Sequence, residues 1–374
     1  MKTPILIALV ALVSGTAIAE TFVYFGTYTR GESEGIYRST MDPETGELSD
    51  PELAAEVVNP SFVAVHPDST TLYAVSEIKE FEGREEGVVS AYAIGEKGEL
   101  TLLNRLGTGG SGPCHVSLDA AGRTVLVANY SGGSVASFPV KSDGSLGERT
   151  ALHAHAGRGG PGKEEAKPLA HSIMPHPSGA RACSADKGLD AVLIYELNGE
   201  SGKLSVNDPP MARLPDGTAP RHVTFHPSQP FAYVNLERTL ELAALRYDDA
   251  TGNLELIEIE STLDPGAEAK GSTAEALVHP SGKWVYVSNR GPNSIAVFAI
   301  DPASGEITPV ERESTRGEIP RNFGITPDGK FVVAANQKTN NVAVLRVDEK
   351  TGALEPTGHG LEVPSPVCVR FVER

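Results

Sequence analysis

One phrase recurs along this chain and limits what it can become: a tight turn, most often His-Pro, entered and left by short runs rich in aromatic and β-branched residues. Its clearest copy is His279 to Phe298, HPSGKWVYVSNRGPNSIAVF. His279-Pro280-Ser281-Gly282 forms the turn. Lys283 to Ser288 suits a pleated, half-buried surface. Asn289-Arg290-Gly291-Pro292 interrupts that run, and Ser294 to Phe298 resumes it. With the turn His as position zero, copies fall at His66, Leu118, His176, His226, His279 and Thr326. A period of about 50 residues signals a repeat architecture, in which each unit buries its apolar faces against its neighbours.

Each turn leads into a strand such as Trp284 to Ser288 or Phe331 to Ala335, and then a third such as Val88 to Ala93 or Val342 to Val347. An Asp/Gly/Asn-rich turn precedes a fourth strand, as at Asp42-Pro43-Glu44-Thr45-Gly46, Asp249 to Asn253, Asp301 to Gly305 and Glu349 to Gly352; this is hairpin-turn chemistry. No helical apolar period is sustained. Four short antiparallel strands per unit, repeated radially, predict an all-β propeller. Six copies are complete. A seventh is split: Thr21 to Tyr28 reads as a second strand whose missing first strand is Pro366 to Glu373. We therefore expect seven blades of four antiparallel strands, the ring closed by the two termini sharing one blade, with no free edge.

Residues 1–19 read as a signal peptide: Lys2, the apolar run Ile5 to Val13, then Ala17-Ile18-Ala19. Residues 20–374 read as a single propeller domain, periplasmic or secreted. A net charge of −17 argues against nucleic acid, which calls for a basic face, and no later segment has the length and apolarity of a membrane span. Cys114, Cys183 and Cys368 are an odd set without CxxC spacing, so no disulfide framework is expected and buried small apolar roles are.

The repeat also points to a site. Positions −5 and +11 face each other across the turn hairpin, at one end of each blade and at the mouth of the central channel. At −5 stand Ser61, Pro113, His171, Arg221, Ala274 and Arg321; at +11 stand Glu77, Asn129, Lys187, Glu237, Arg290 and Gln337. At −4 are Cys114, His222, Glu275 and Asn322, and at −3 His115. A purely structural repeat would carry interchangeable residues here. This one carries different polar and charged ones, and converging polar groups in a concavity are the general form of a binding site. His171, Arg221, Glu237 and Arg290 are the candidate catalytic cluster, with a possible base, a carboxylate and two fixed cations. Glu77, His115, Asn129, His222, Glu275, Arg321 and Gln337 are candidate substrate contacts. The competing reading is a polar, water-filled channel with Arg–Glu pairs that only tie strands together. The turn histidines His66, His176, His226 and His279 recur at position zero and read as repeat punctuation.

Gly157-Arg158-Gly159-Gly160-Pro161-Gly162-Lys163 matches only the first part of a phosphate-binding loop: Glu164 stands where Ser or Thr would hold magnesium, and no strand–helix frame surrounds it. A nucleotide site is rejected, although this loop could touch an anionic substrate if it folds over the mouth. No close His/Cys/Asp cluster has metal-ligand spacing, and neither metal nor cofactor is expected.

Several motifs together resemble the seven-bladed propeller lactonases, the group of the bacterial propeller-type 6-phosphogluconolactonase and the fungal carboxymuconate-lactonising cycloisomerase. They are Phe25-Gly26-Thr27-Tyr28-Thr29, Gly112-Pro113-Cys114-His115-Val116-Ser117 with Val127-Ala128-Asn129-Tyr130, Pro220-Arg221-His222-Val223-Thr224-Phe225-His226-Pro227, Val287-Ser288-Asn289-Arg290-Gly291, and Pro320-Arg321-Asn322-Phe323 with Ala334-Ala335-Asn336-Gln337. The resemblance implies a catalytic His, Arg, Glu and Arg, which by motif fall on His171, Arg221, Glu237 and Arg290. It departs at Leu169-Ala170-His171, where the family often has His-Ala-His, and at Leu236-Glu237, where it often has Asn-Glu. What it implies is a monomeric lactone hydrolase acting on a small-molecule sugar lactone by base-activated water attack. Export would favour a plain lactone such as gluconolactone over a phosphorylated one, whereas the family's naming favours a 6-phosphogluconolactonase type of activity. A non-catalytic ligand- or protein-binding propeller and a cycloisomerase acting on an unsaturated dicarboxylate are the alternatives.

Overall fold

The computed structural model describes residues 21–157, 167–268 and 270–374. The expected signal peptide and nearly all of the glycine-rich loop lie outside the described residues. Among the described residues every regular element is a strand, and the 28 strands form seven four-stranded antiparallel sheets. Blade 1 is the split one: Pro366–Glu373 is its innermost strand, followed by Thr21–Thr27, Gly35–Met41 and Glu52–Glu56. Blades 2 to 7 follow in chain order, with innermost strands Val63–Val65, Pro113–Leu118, Ala170–Pro175, Pro220–Phe225, Ser272–Val278 and Pro320–Ile325. Seven blades closed by the two termini are as the sequence predicts.

Blade packing explains the strand composition. The second strands, such as Thr71–Ser76, Thr124–Asn129 and Phe331–Asn336, are buried at every position because a neighbouring blade covers each face. They therefore read as continuous apolar runs rather than alternating ones. Outer strands such as Lys203–Arg213 alternate. The apolar clusters lie between adjacent blades; Phe231 and Tyr233 of blade 5, for example, pack with Val285, Val287 and Phe298 of blade 6.

The turns hold this stacking in register. In the hairpin before the fourth strand of blade 6, the Asp301 carboxylate accepts the N–H groups of Ala303 and Ser304 at 2.8 and 2.9 Å, and Gly305 takes a left-handed φ of 80°, where a Cβ would be strained. Its carbonyl then receives the Tyr233 hydroxyl of blade 5 at 3.2 Å. The turn histidines work the same way. His66, His226 and His279 each bond through Nε2 to the carbonyl of the next blade's turn glycine, Gly122, Gly282 and Gly329, at 2.9–3.0 Å. His176 instead stacks on Tyr247 at 4.1 Å. Cys114, Cys183 and Cys368 are all buried free thiols.

Candidate active site

The backbone fixes the phase of each blade and corrects one of them. The N–H at position zero bonds to the carbonyl five residues on, as in His226 to Phe231 at 2.9 Å and His279 to Trp284 at 2.8 Å. In blade 3 that bond runs from Asp119 to Thr124, at 3.1 Å. Position zero there is Asp119, not Leu118. The −5 residue is consequently Cys114 rather than Pro113, the −4 residue is His115, and the +11 residue is Tyr130 rather than Asn129. Asn129 is removed from the mouth: it is fully buried, and its amide reaches Ser134 Oγ at 3.1 Å and the Thr108 carbonyl at 3.5 Å. Asn289 and Asn336 make the same latch, to the carbonyls of Thr262 and Thr315 at 3.2 and 2.8 Å.

Blade 1 supplies a member that its split hides in the sequence. The +11 N–H bonds to the −7 carbonyl in Glu237 to Ala219 at 2.9 Å, Gln337 to Ile319 at 3.0 Å and Glu77 to Asn59 at 3.0 Å. Tyr28 to Ser365, at 3.1 Å, is the equivalent bond, so Tyr28 belongs to the ring. Ala219 and Ile319 adopt left-handed φ values of 57° and 60°, a conformation that is strained for a residue with Cβ and most of all for β-branched Ile. Such strain collects at functional sites. In six blades a register shift follows at −5 and −4 of the inner strand, and bulges of this kind re-aim side chains.

One side of the mouth is built on Glu237. Its carboxylate is ion-paired with Lys187 Nζ at 2.6 Å, Arg290 Nη2 at 3.1 Å and Arg221 Nε at 3.3 Å. These cations come from blades 4, 6 and 5. Burial alone would raise the Glu237 carboxyl, but Arg221, Lys187 and Arg290 outweigh it and hold it at about 2. Burial and the nearby Arg321 and Arg290 bring Arg221 down to about 10. The arginines are fixed by backbone: Arg221 Nη1 donates to the Ala274 carbonyl and Arg290 Nη2 to the Thr273 carbonyl, the latter at 3.0 Å. His171 sits beside them, its ring 5.2 Å from Tyr130 and its Nδ1 3.8 Å from Cys114 Sγ. Burial, with the Arg221 and Lys187 charges, keeps His171 well below the ordinary imidazole range, so it is neutral. Burial lifts the Cys114 thiol to about 12, which leaves it protonated and unreactive.

The opposite side joins Arg321, Tyr28 and Glu77. Arg321 Nη2 donates to the Tyr28 hydroxyl at 3.0 Å, and that hydroxyl donates to Glu77 Oε2 at 2.7 Å. Gln337, half-buried, stands between the two sides. The rim thus carries four cations (Lys187, Arg221, Arg290, Arg321) against two carboxylates. It is locally positive in a chain of net charge −17, and such a mouth draws anions.

His115, His222 and Glu275 lie one tier deeper, each no more than 3% exposed. His222 Nδ1 meets Glu275 Oε1 at 2.6 Å, and Asn322 Nδ2 donates to Glu275 Oε2. Arg221 Nη1 stands 3.2 Å from His222 Nε2. Guanidinium can only donate, so Nε2 accepts and the His222 proton lies on Nδ1, facing Glu275. This tier orients Arg221. His115 packs against Phe62 in a tilted arrangement at 4.3 Å and meets His222 edge-on at 5.3 Å. A cleft of about 630 Å³ between blades 1 and 2, lined by Val57, Val58, Tyr92 and Leu102 among others, contains none of these groups. Among the described residues no three His, Cys, Asp or Glu side chains are grouped to hold a metal ion.

The family described as "Lactonase, 7-bladed beta-propeller" matches residues 22–371. A 6-phosphogluconolactonase of Bacillus subtilis is 39% identical over 356 residues, covering 94% of this chain and 98% of that one. The structure of a periplasmic gluconolactonase from Pseudomonas aeruginosa superposes with a TM-score of 0.86 at 32% identity, covering 94% of this chain and 99% of the other. A protein from Lactobacillus plantarum superposes with a TM-score of 0.85 at 31% identity, covering 95% and 100%. On its sequence, its seven-bladed ring and these relatives, the chain belongs to the lactonase family of seven-bladed β-propellers.

Proposed function

We propose that this protein opens sugar lactones by hydrolysis at the channel mouth built on Glu237. The observation that carries this reading is a carboxylate held by three cations from three blades, beside a neutral histidine. Opening a lactone adds water to the carbonyl carbon, places negative charge on the carbonyl oxygen, and then breaks the bond to the ring oxygen. Arg221 and Arg290 are fixed by backbone carbonyls before substrate arrives, which suits them to that developing charge. At about 2, Glu237 is a weak base while all three cations face it. As the oxyanion draws Arg221 and Arg290, the carboxylate loses part of what holds it low. Its basicity then rises at the step where the attacking water gives up its proton. His171, neutral, hydrogen-bonds the leaving ring oxygen, which takes up the proton that Glu237 removed from water, so that one water is added across the ester bond and Glu237 is again a carboxylate.

Residues 1–19 read as an export signal, which puts the propeller of residues 20–374 in the periplasm or outside the cell, as a monomer. That compartment fits a plain aldonolactone better than a phosphorylated one. The relatives support both, one being named a 6-phosphogluconolactonase and another a periplasmic gluconolactonase. The test is turnover by the purified protein on glucono-δ-lactone, its 6-phosphate and an unsaturated dicarboxylate, with spontaneous opening subtracted. Hydrolysis of either lactone supports the reading. Turnover of the dicarboxylate alone, or ligand-induced melting shifts with no turnover, would overturn it.

A further inference from the structure

The two sides of the mouth differ in charge and in the chemistry they present. The Glu237 side holds one carboxylate among three cations. The Tyr28 side holds one carboxylate, one guanidinium and a phenol, and is neutral overall. An anionic group or a developing oxyanion is drawn to the first side and meets the Glu77 carboxylate on the second. Anion capture is therefore not what the second side is suited to.

Its free valences suit hydroxyl groups. Tyr28 uses its hydroxyl twice, accepting from Arg321 and donating to Glu77 Oε2, and burial keeps that phenol protonated. Glu77 Oε1 has no hydrogen-bond partner among the described residues, and a carboxylate oxygen accepts from hydroxyls at any of its lone pairs. Arg321 spends only Nη2 on Tyr28 and has five N–H donors in a planar fork. A carboxylate acceptor and a guanidinium donor held by one phenol present the paired acceptor and donor that neighbouring hydroxyls on a ring require. The Tyr28 ring lies under Arg321 at 5.4 Å and gives this side an aromatic face.

We infer that Glu77, Tyr28 and Arg321 form a hydroxyl-reading arm that makes the site selective for polyhydroxylated lactones, while the Glu237 side takes the reacting carbonyl. The inference rests on the lactonase reading above. It assigns specificity to residues outside the four candidate catalytic ones, and it places a repelling carboxylate where the second acid of a dicarboxylate would sit.

The test compares glucono-δ-lactone with δ-valerolactone, which has the same six-membered lactone ring and no hydroxyls. The readout is the ratio of the two kcat/KM values in the wild type, in Glu77→Gln and in Tyr28→Phe, with thermal melts confirming that each variant is folded. Losing a hydrogen bond to a charged group lowers discrimination by about 10- to 100-fold, so the ratio should fall by about that factor in Glu77→Gln. Tyr28→Phe keeps the ring and frees Arg321 and Glu77 from each other, and it should lower the ratio too. Equal losses on both lactones, leaving the ratio unchanged, would overturn the hydroxyl-reading role while leaving the lactonase reading intact. A wild type that hydrolyses neither of these lactones nor glucono-δ-lactone 6-phosphate would overturn both.

Discussion

Glu237→Gln removes one negative charge and almost no volume from the centre of the mouth, so its effect isolates the charge. The carboxyl is only 17% exposed, with Lys187 at 2.6 Å, Arg290 at 3.1 Å and Arg221 at 3.3 Å, and it is lowered from 4.5 to about 2. At about 1.4 kcal/mol per pKa unit, the charged form gains about 3 kcal/mol on folding. The pH dependence follows from the direction of the shift. A carboxyl lowered by folding contributes fully above its unfolded value near 4.5 and loses that contribution as pH falls towards 2. Urea unfolding at pH 7 should therefore find Glu237→Gln about 3 kcal/mol less stable than wild type. The gap should narrow progressively below about pH 4.5. Because the variant leaves three cations without their carboxylate, millimolar phosphate should restore its melting temperature more than it raises that of the wild type. Equal stability at pH 7, or a gap that persists unchanged at about pH 3, would refute the claim that Glu237 is the anion organising this cluster.

The remaining predictions concern the groups around it. His171, His115 and His222 are all held well below the usual imidazole range, chiefly by burial. The kcat/KM profile should therefore be flat as pH falls from 8 to about 6, and an acid limb at pH 6–7 would show that a histidine titrates there. Asn129→Ala should cost about 1–2 kcal/mol in denaturant unfolding through loss of its buried latch and leave KM within about twofold; a large KM change would return Asn129 to the substrate contacts. Cys114 is a protonated thiol, so iodoacetamide at pH 8 should leave activity intact, and rapid stoichiometric inactivation would contradict the assigned state.

Much of this was legible in the sequence because the repeat supplies its own ruler. His226 and His279 mark position zero without ambiguity, and counting from them brings Arg221, Glu237 and Arg290 to one end of the channel, where the structure places them within ion-pair distance. The ruler failed where a blade lacked its mark. In blade 3 Asp119 takes the place of the turn His with no Pro behind it. A one-residue slip then exchanged Tyr130, at the mouth, for Asn129, in the blade interior. The Asn-Tyr pair could have signalled this, since Asn289-Arg290 and Asn336-Gln337 share its pattern of latch followed by ring residue. Tyr28 was missed because its blade is assembled from both ends of the chain, so the −5 and +11 positions there are separated by almost the whole sequence. Depth was not legible either. His115, His222 and Glu275 lie only one residue from the mouth phase, but a bulge in the inner strand sets them below the rim, and no one-dimensional pattern carries that displacement. Lys187, on phase but left out of the catalytic group, proved to be the nearest cation to Glu237.

The central claim is that the phase at which the repeat fails to repeat is the reacting site. Arg290 tests it most directly, because the strand carrying it is otherwise among the clearest copies of the repeat. Arg290→Met keeps the length of the side chain and removes the charge facing Glu237. In a pH-stat assay of glucono-δ-lactone opening, a folded Arg290→Met protein should lose about 10²- to 10³-fold in kcat/KM, as when a fixed oxyanion donor is removed. A folded variant that opens the lactone within about threefold of the wild-type rate would contradict that claim.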